Sequence, residues 1–255
     1  MPATKTIIVI QAHPDDAEIF CGGTLALLSE LGHRIVIVTM TSGGMGGVDM
    51  DEETTAMTRK GEGAAAAGVI DAAYICMDQR DGYLFDNPEL RMETTDLIRR
   101  ERADVVLTHL PNDYHPDHRA TSSIAESATL LSTLQNVPSD MEPLDSTPLL
   151  YHTTPFNLTD HLGNPYTPHF YVDVSSVISI KRKMIGAHYS QIELMRQMFG
   201  KESFVEDMLK DHDRKLGPRM GSEYAEAFMQ HLGGGFYHTP FIQQALREYV
   251  RLQLK

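Results

Sequence analysis

A Rossmann-like α/β fold, a mostly parallel sheet with helices on both faces and a helical C-terminal cover, is predicted by three observations. Apolar β-branched runs recur through the first half of the chain at Thr6–Ile10, Arg34–Met40, Ala73–Cys76 and Asp104–Thr108, each short enough to be a buried strand. Between them lie longer segments with helical periodicity, and strand alternating with helix is the signature of parallel βαβ units. Polar clusters follow the first and fourth runs, at the strand ends where open α/β sheets bind ligands.

The first run, Thr6-Ile7-Ile8-Val9-Ile10, passes into Ala12-His13-Pro14-Asp15-Asp16-Ala17-Glu18 and then through Gly22-Gly23 into the apolar-periodic Thr24-Leu25-Ala26-Leu27-Leu28. Gly32 ends this helix, and the second strand leads into Ser42-Gly43-Gly44-Met45-Gly46-Gly47. That loop lacks the spacing of a phosphate-binding G-x-x-x-x-G-K-[ST] loop, so a flexible rim loop is expected. Thr54 to Gly68 reads as an alanine-rich helix, and the third strand runs into a polar loop turning at Asp81-Gly82. Asn87-Pro88 starts a helix with Leu90, Thr94, Leu97 and Ile98 on one face.

After the fourth strand comes His109 to His118, then a helix from Arg119 to Leu134 and an acidic, proline-bearing loop from Pro138 to Pro148. Leu149–His152 and Phe170–Val174 are short strands joined by a loop that could overhang the site. Helices are expected over 176–189, 192–199 and 203–216, and a last amphipathic one over 240–254. With no internal repeat, residues 1–255 read as one domain in which 231–255 is a helical extension. Its stripe of Phe241, Ala245, Leu246, Tyr249 and Val250 is expected to pack, and a neighbouring copy in a homo-oligomer is one surface it could use.

Composition bounds the function. At 255 residues, with 42% hydrophobic and 22% charged residues, the chain can bury an ample core. A formal net charge of −13 leaves no basic stripe for a nucleic-acid backbone or an anionic membrane. No stretch approaches the ~18 apolar residues of a membrane span, and Met1–Lys5 carries no apolar leader, so a cytoplasmic protein is expected. Two cysteines, Cys21 and Cys76, make no disulfide framework, and Cys21 reads as a buried small hydrophobe. A nicotinamide dehydrogenase is disfavoured by the missing G-x-G-x-x-G after the first strand.

The two polar clusters should meet at one edge of the sheet, bringing together His13, Asp15, Asp16, His115, Asp117 and His118. Two imidazoles and one carboxylate with an open position make a catalytic zinc set, and a further carboxylate beside them can accept a proton from water. Each cluster alone could be a helix cap or a polar turn. His109 lies closer to the strand end and reads as packing.

The pair A-H-P-D-D-A-E…G-G-T-L and L-P-N-D-Y-H-P-D-H-R-A-T resembles the PIG-L/LmbE family of zinc-dependent N-deacetylases, over about residues 6 to 230. The resemblance extends to Lys183–Gln191 and to Tyr224-Ala225-Glu226-Ala227-Phe228. It implies that His13, Asp16 and His118 bind Zn²⁺, with Fe²⁺ or Co²⁺ able to use the same ligands. By the same resemblance Asp15 is the general base, and a protonated His115 oriented by Asp117 stabilises the oxyanion. Arg59 is similar to a family arginine that contacts substrate, and Asp81 to an acceptor of sugar hydroxyls. His188 falls in a segment read as structural support. One departure is Gly44, where many members carry an acidic residue.

The implied activity is removal of an acetyl group from the amide nitrogen of an N-acetylglucosamine-type small-molecule sugar or glycoside. The alternatives are an amidase of a larger thiol or antibiotic amino-sugar conjugate, and a metal- or carbohydrate-binding module without turnover.

Overall fold

A computed structural model describes residues 4–200 and 203–252. One eight-stranded sheet carries the fold, in the order β3-β2-β1-β4-β5-β7-β6-β8. Its parallel part comprises β1 (Thr6–Gln11), β2 (Arg34–Thr41), β3 (Ala73–Gln79), β4 (Val105–Thr108) and β5 (Leu149–Thr153). Three further strands, β6 (Phe170–Asp173), β7 (Ala225–Gln230) and β8 (Val250–Leu252), pair antiparallel and complete one edge. The mostly parallel α/β sheet expected from the sequence is therefore present.

Strands β1, β2, β4 and β5 are largely buried on both faces because helices cover each side, whereas β3, at the edge, is only partly buried. Alternate residues of β1 show this directly: Ile7 and Val9 join one hydrophobic cluster, Ile8 and Ile10 the other. The covering helices are α1 (Asp16–Glu30), α2 (Glu52–Gly68), α3 (Pro88–Glu101) and α4 (Pro116–Leu131). In the C-terminal third come α5 (Ile178–Gly186), α6 (Tyr189–Phe199), α7 (Phe204–Asp211), the short α8 (Asp213–Leu216) and α9 (Phe241–Ala245). Strand order reverses between β1 and β4, so their carboxyl ends flank the crevice at the switch point.

Two sequence expectations are corrected. The C-terminal extension is not a long helix: α9 spans five residues, and the chain then turns into β8 beside β6. The open edge of β6 supplies backbone partners that a helix over this segment would forgo, and Asp173 N–H donates to the Tyr249 carbonyl at 2.7 Å. Its apolar stripe packs on the chain's own core, with Ile242 and Leu246 buried. The expected helix ran to residue 254, and residues 253–255 lie outside the described region.

The second correction concerns Gly22-Gly23, which lie within α1 rather than before it. At Gly23 a Cβ would come within 2.6 Å of Val174 and 3.2 Å of the Glu226 carboxylate. Glycine there lets Glu226, on β7, accept the N–H groups of Gly23 and Thr24, each at 2.8 Å. Beside it Lys181 of α5, fully buried, donates to Glu226 at 2.7 Å, to Asp213 at 2.6 Å and to the Ile19 carbonyl at 2.8 Å. A buried ion cluster thus bolts α1 to the antiparallel half of the sheet.

Burial opposes charge on Lys181, but the Asp213 and Glu226 charges outweigh it and raise its pKa. Asp213 is held below the usual carboxylate range because the Lys181 charge outweighs burial. Its share of stability is present above the ordinary carboxylate pKa and disappears as pH falls through the lowered folded value. Lys181→Met, which strands two buried carboxylates, is expected to cost about 3–5 kcal/mol in urea unfolding at neutral pH. The gap to wild type should narrow in acid, as Asp213 protonates.

Candidate active site

Two helix N-termini converge on the switch point, and each brings one polar cluster. At the end of β1 the loop Ala12–Asp15 delivers Asp16 as the first residue of α1. After β4 the loop runs to His115, which caps α4 by accepting the Asp117 N–H on Nδ1 at 3.2 Å, with Pro116 at the first helical position. The loops are tied together: Ala12 N–H donates to His109 Nε2 at 3.0 Å, and the Ala12 carbonyl accepts from Thr41 of β2.

Asp15 stands in the left-handed region with φ 115°, a conformation that costs a non-glycine residue of order 1–3 kcal/mol and persists only when its surroundings enforce it. Arg59 of α2 does the enforcing. Its Nη2 donates to the Pro14 carbonyl at 2.6 Å and lies 3.4 Å from Asp15 Oδ2, while Nη1 donates to the Gly43 carbonyl at 3.0 Å. Arg59 lines the cavity, and these N–H groups are committed to the protein.

The glycine-rich segment is not a flexible rim. Its backbone wraps Arg59 so closely that a Cβ at Gly43 or Gly46 would collide with the guanidinium. Gln191 of α6 secures the other side by donating to the Gly46 carbonyl at 3.1 Å. A side chain at Gly44 would lie 2.9 Å from the Glu52 carbonyl, which excludes the acidic residue that the resemblance suggested there.

Three side chains face one another across the crevice. Asp16 Oδ2 lies 3.2 Å from His13 Nδ1 and 3.4 Å from His118 Nε2. The opposite nitrogen of each ring meets another carboxylate: His118 Nδ1 is 2.9 Å from Asp113 Oδ1, and His13 Nε2 is 3.2 Å from Asp81 Oδ1 and 3.3 Å from Asp117 Oδ2. Rings that donate outward to these carboxylates leave the lone pairs of His13 Nδ1 and His118 Nε2 beside Asp16 Oδ2. That donor set fits a divalent cation, and a carboxylate behind each histidine is the usual support of a metal-binding imidazole.

The local charges tell the same story. Burial would lower both rings, but hydrogen bonds to the Asp117, Asp16 and Asp81 carboxylates lift His13 well above the ordinary histidine value. The Asp16 charge and the Asp113 hydrogen bond push His118 up to about 9. Positive charge is therefore favoured between the clusters.

His109 stacks on His118 with centroids 3.7 Å apart, but its Nε2 already accepts the Ala12 N–H. Among the described residues, the groupings whose donor atoms all lie within 4.8 Å of one another are Asp16 with His109 and His118, His13 with His115 and His118, and His13 with Asp81 and Asp117.

The expectation for His115 and Asp117 is corrected. Asp117 turns its carboxylate to His13 and to the Gly82 N–H, at 2.8 Å, and reaches His115 through its own backbone N–H. The cause is the position of both residues in the first turn of α4, where His115 as cap bonds the backbone. Burial, then the neighbouring His13 and His118, hold His115 below the ordinary histidine value. Its Nδ1 is taken up as an acceptor of the Asp117 N–H, which leaves Nε2 as the ring nitrogen able to donate. Burial pushes Asp15 up to about 6, against the lowering pull of Arg59 and with the adjacent Asp16 adding to the rise.

A cavity of about 320 Å³ opens over these groups, lined also by Asp81, Tyr114 and Gln191 and by an apolar side from the C-terminal helices. Asp81 has protein partners on both oxygens, His13 on one and the Met45 N–H on the other at 3.1 Å. Sequence reasoning assigned no role to Asp113, Tyr114 or Gln191. A carboxylate five residues before His118 was the available signal for the first. His188 is fully buried, 3.5 Å from Glu18, as a supporting residue would be. Asp113→Asn keeps the shape but weakens the outer hold on His118. Affinity for a divalent cation, measured by chelator competition, is expected to fall about 10–100-fold with the fold intact.

Residues 8–129 match the model of the PIG-L family, GlcNAc-PI de-N-acetylase. A diacetylchitobiose deacetylase of Thermococcus kodakarensis is 30% identical over 195 residues, spanning 73% of this chain and 70% of that protein. A 4-oxalmesaconate hydratase of Pseudomonas putida is 23% identical over 216 residues, 78% of this chain and 82% of that one. Among solved structures, an N,N'-diacetylchitobiose deacetylase from Pyrococcus horikoshii superimposes with a TM-score of 0.76 at 27% identity, over 93% of this chain and 87% of that one. The chain, with polar clusters at the ends of β1 and β4, belongs to the PIG-L family.

Proposed function

We propose that this chain is a zinc-dependent hydrolase that removes the acetyl group from the amide nitrogen of an N-acetylglucosamine-type sugar or its conjugate. The observation that carries the reading is one cavity lined by His13, Asp15, Asp16 and His118, in which Asp16 Oδ2 lies 3.2 Å from His13 Nδ1 and 3.4 Å from His118 Nε2 and burial raises the Asp15 carboxyl. His13, Asp16 and His118 would hold the metal. Zinc, when bound, supplies Lewis acidity that polarises a carbonyl and makes water acidic, and Fe²⁺ or Co²⁺ would suit the same donors.

The chain's own groups divide the remaining work. Asp15 accepts a proton from the attacking water, which its left-handed backbone and the Arg59 clamp hold it in place to do. As oxygen bonds to the acyl carbon, negative charge grows on the carbonyl oxygen, and His115 donates from Nε2 to it. The C–N bond then breaks, and Asp15 returns its proton to the leaving nitrogen, giving a free amine and acetate. Asp117 and Asp81 hold His13, and Asp113 holds His118. Asp81 and Arg59 also border the space where the sugar hydroxyls would lie.

A larger thiol- or antibiotic-bearing conjugate would present the same amide. Two free cysteines, one buried, are consistent with a reducing, cytoplasmic setting. No helix among the described residues is long and apolar enough to cross a membrane.

Acetate release from N-acetylglucosamine, its oligomers and its glycosides tests the reading. Asp15→Asn should lower kcat by about 10²–10⁴-fold while zinc stays bound at the wild-type stoichiometry. An unchanged rate would sink the mechanism, and silence of the zinc-loaded wild type across the panel would sink the substrate class. His115→Ala should cost about 10²–10³ in kcat with a smaller change in KM, because its hydrogen bond strengthens only as charge develops.

A further inference from the structure

The cavity has two unlike sides. Asp15, Arg59, Asp81 and Gln191 form a polar one, and Ile19, Phe20, Phe156, Met195, Phe204 and Met208 form an apolar one. Nothing in the deacetylase reading uses the second side: an acetyl group presents one methyl, and a sugar ring laid there would leave its hydroxyls unpaired against hydrocarbon. We infer that this apolar side receives the acyl chain of the amide, so that the site prefers N-acyl groups longer than acetyl. The inference rests on the amide-hydrolase reading and sharpens its substrate class.

The placement of the wall selects the acyl side over an apolar group elsewhere on the sugar. Ile19 and Phe20 follow Asp16 by three and four residues on α1, so all three share one helical face. Apolar surface therefore begins within one turn of the carboxylate that faces both imidazoles, where the carbonyl carbon is attacked. The Phe20 ring is 6.2 Å from the His118 ring and 5.1 Å from Phe156, which carries the wall away from the reacting centre. A group attached at the sugar's anomeric carbon is separated from the carbonyl carbon by the amide nitrogen and two ring carbons. It leaves the site on the sugar side.

The far end of the wall suits a chain of variable length. Met195 on α6 and Met208 on α7 are unbranched and rotate to fill gaps, the property that adapts methionine surfaces to different hydrocarbons. The polar side is left for the hydroxyls, as orientation of the sugar requires. The bonds made and broken are those of any amide hydrolysis: water oxygen joins the acyl carbon, the C–N bond breaks, and a longer carboxylate leaves in place of acetate.

The test compares N-acetyl-, N-butyryl- and N-hexanoyl-glucosamine with the zinc-loaded protein, beside the octyl glycoside of N-acetylglucosamine. Each methylene buried on the wall is worth about fourfold in kcat/KM, so the hexanoyl amide should exceed the acetyl amide by well over tenfold. Met208→Gln should compress that ratio. A flat or falling series overturns the inference, and so does a gain confined to the octyl glycoside. Calorimetric binding of acetate, butyrate and hexanoate to the zinc-loaded protein decides the matter without turnover. Affinity rising with chain length in wild type and levelled in Met208→Gln supports the wall, and equal affinities refute it. Acetyl hydrolysis with a flat series removes this inference alone. No hydrolysis of any amide with hexanoate bound most tightly removes the hydrolase reading and leaves the wall.

Discussion

The meeting of Asp16 Oδ2 with His13 Nδ1 and His118 Nε2, at 3.2 and 3.4 Å, is the contact on which the rest of the site depends. Each partner is fixed from behind. Asp113 holds His118, Asp81 and Asp117 hold His13, and His109 stacks flat on His118 while tying the first loop to the second. The arrangement concentrates acidic groups in a buried crevice, a costly choice unless a cation compensates them. The fold alone would not select this chemistry, since a hydratase is similar to this chain over most of its length.

The orientation of α1 is the second constraint. It must aim Asp16 at the imidazoles while offering Ile19 and Phe20 to the cavity. Glu226 reaches its backbone from β7, and Lys181 reaches the Ile19 carbonyl from α5. The antiparallel half of the sheet is thereby mechanically joined to the site. Residues around 181, 213 and 226, remote from any substrate, help set the angle at which the acidic first turn enters the crevice.

Much of this was legible in the sequence. The five parallel strands and their helices followed from apolar runs and punctuation, because strands buried on two faces leave an unbroken signal. His13, Asp15, Asp16, His115 and His118 stood out because they cluster after strands, and the structure brings them to one cavity. What failed was what depends on distant partners. Strand β7 and the turn into β8 arise from pairing with β6, which no local pattern encodes. Asp117 is aimed at His13 because α4 meets the first loop in space, and the wrapping of Arg59 by glycines depends on how β2 and α2 are juxtaposed. Asp113 sat in plain view without a role, since only the geometry shows which side of His118 it supports.

The C-terminal strand has a consequence beyond packing. Without β8, the outer backbone groups of β6 would face solvent as a ready template for a strand from another molecule. Among the described residues, Val250 to Leu252 pair with Phe170 to Val172 and take up that edge. Strand β8 therefore finishes the antiparallel border of the sheet like a selvedge, while the polar clusters lie at the ends of β1 and β4 in the opposite half.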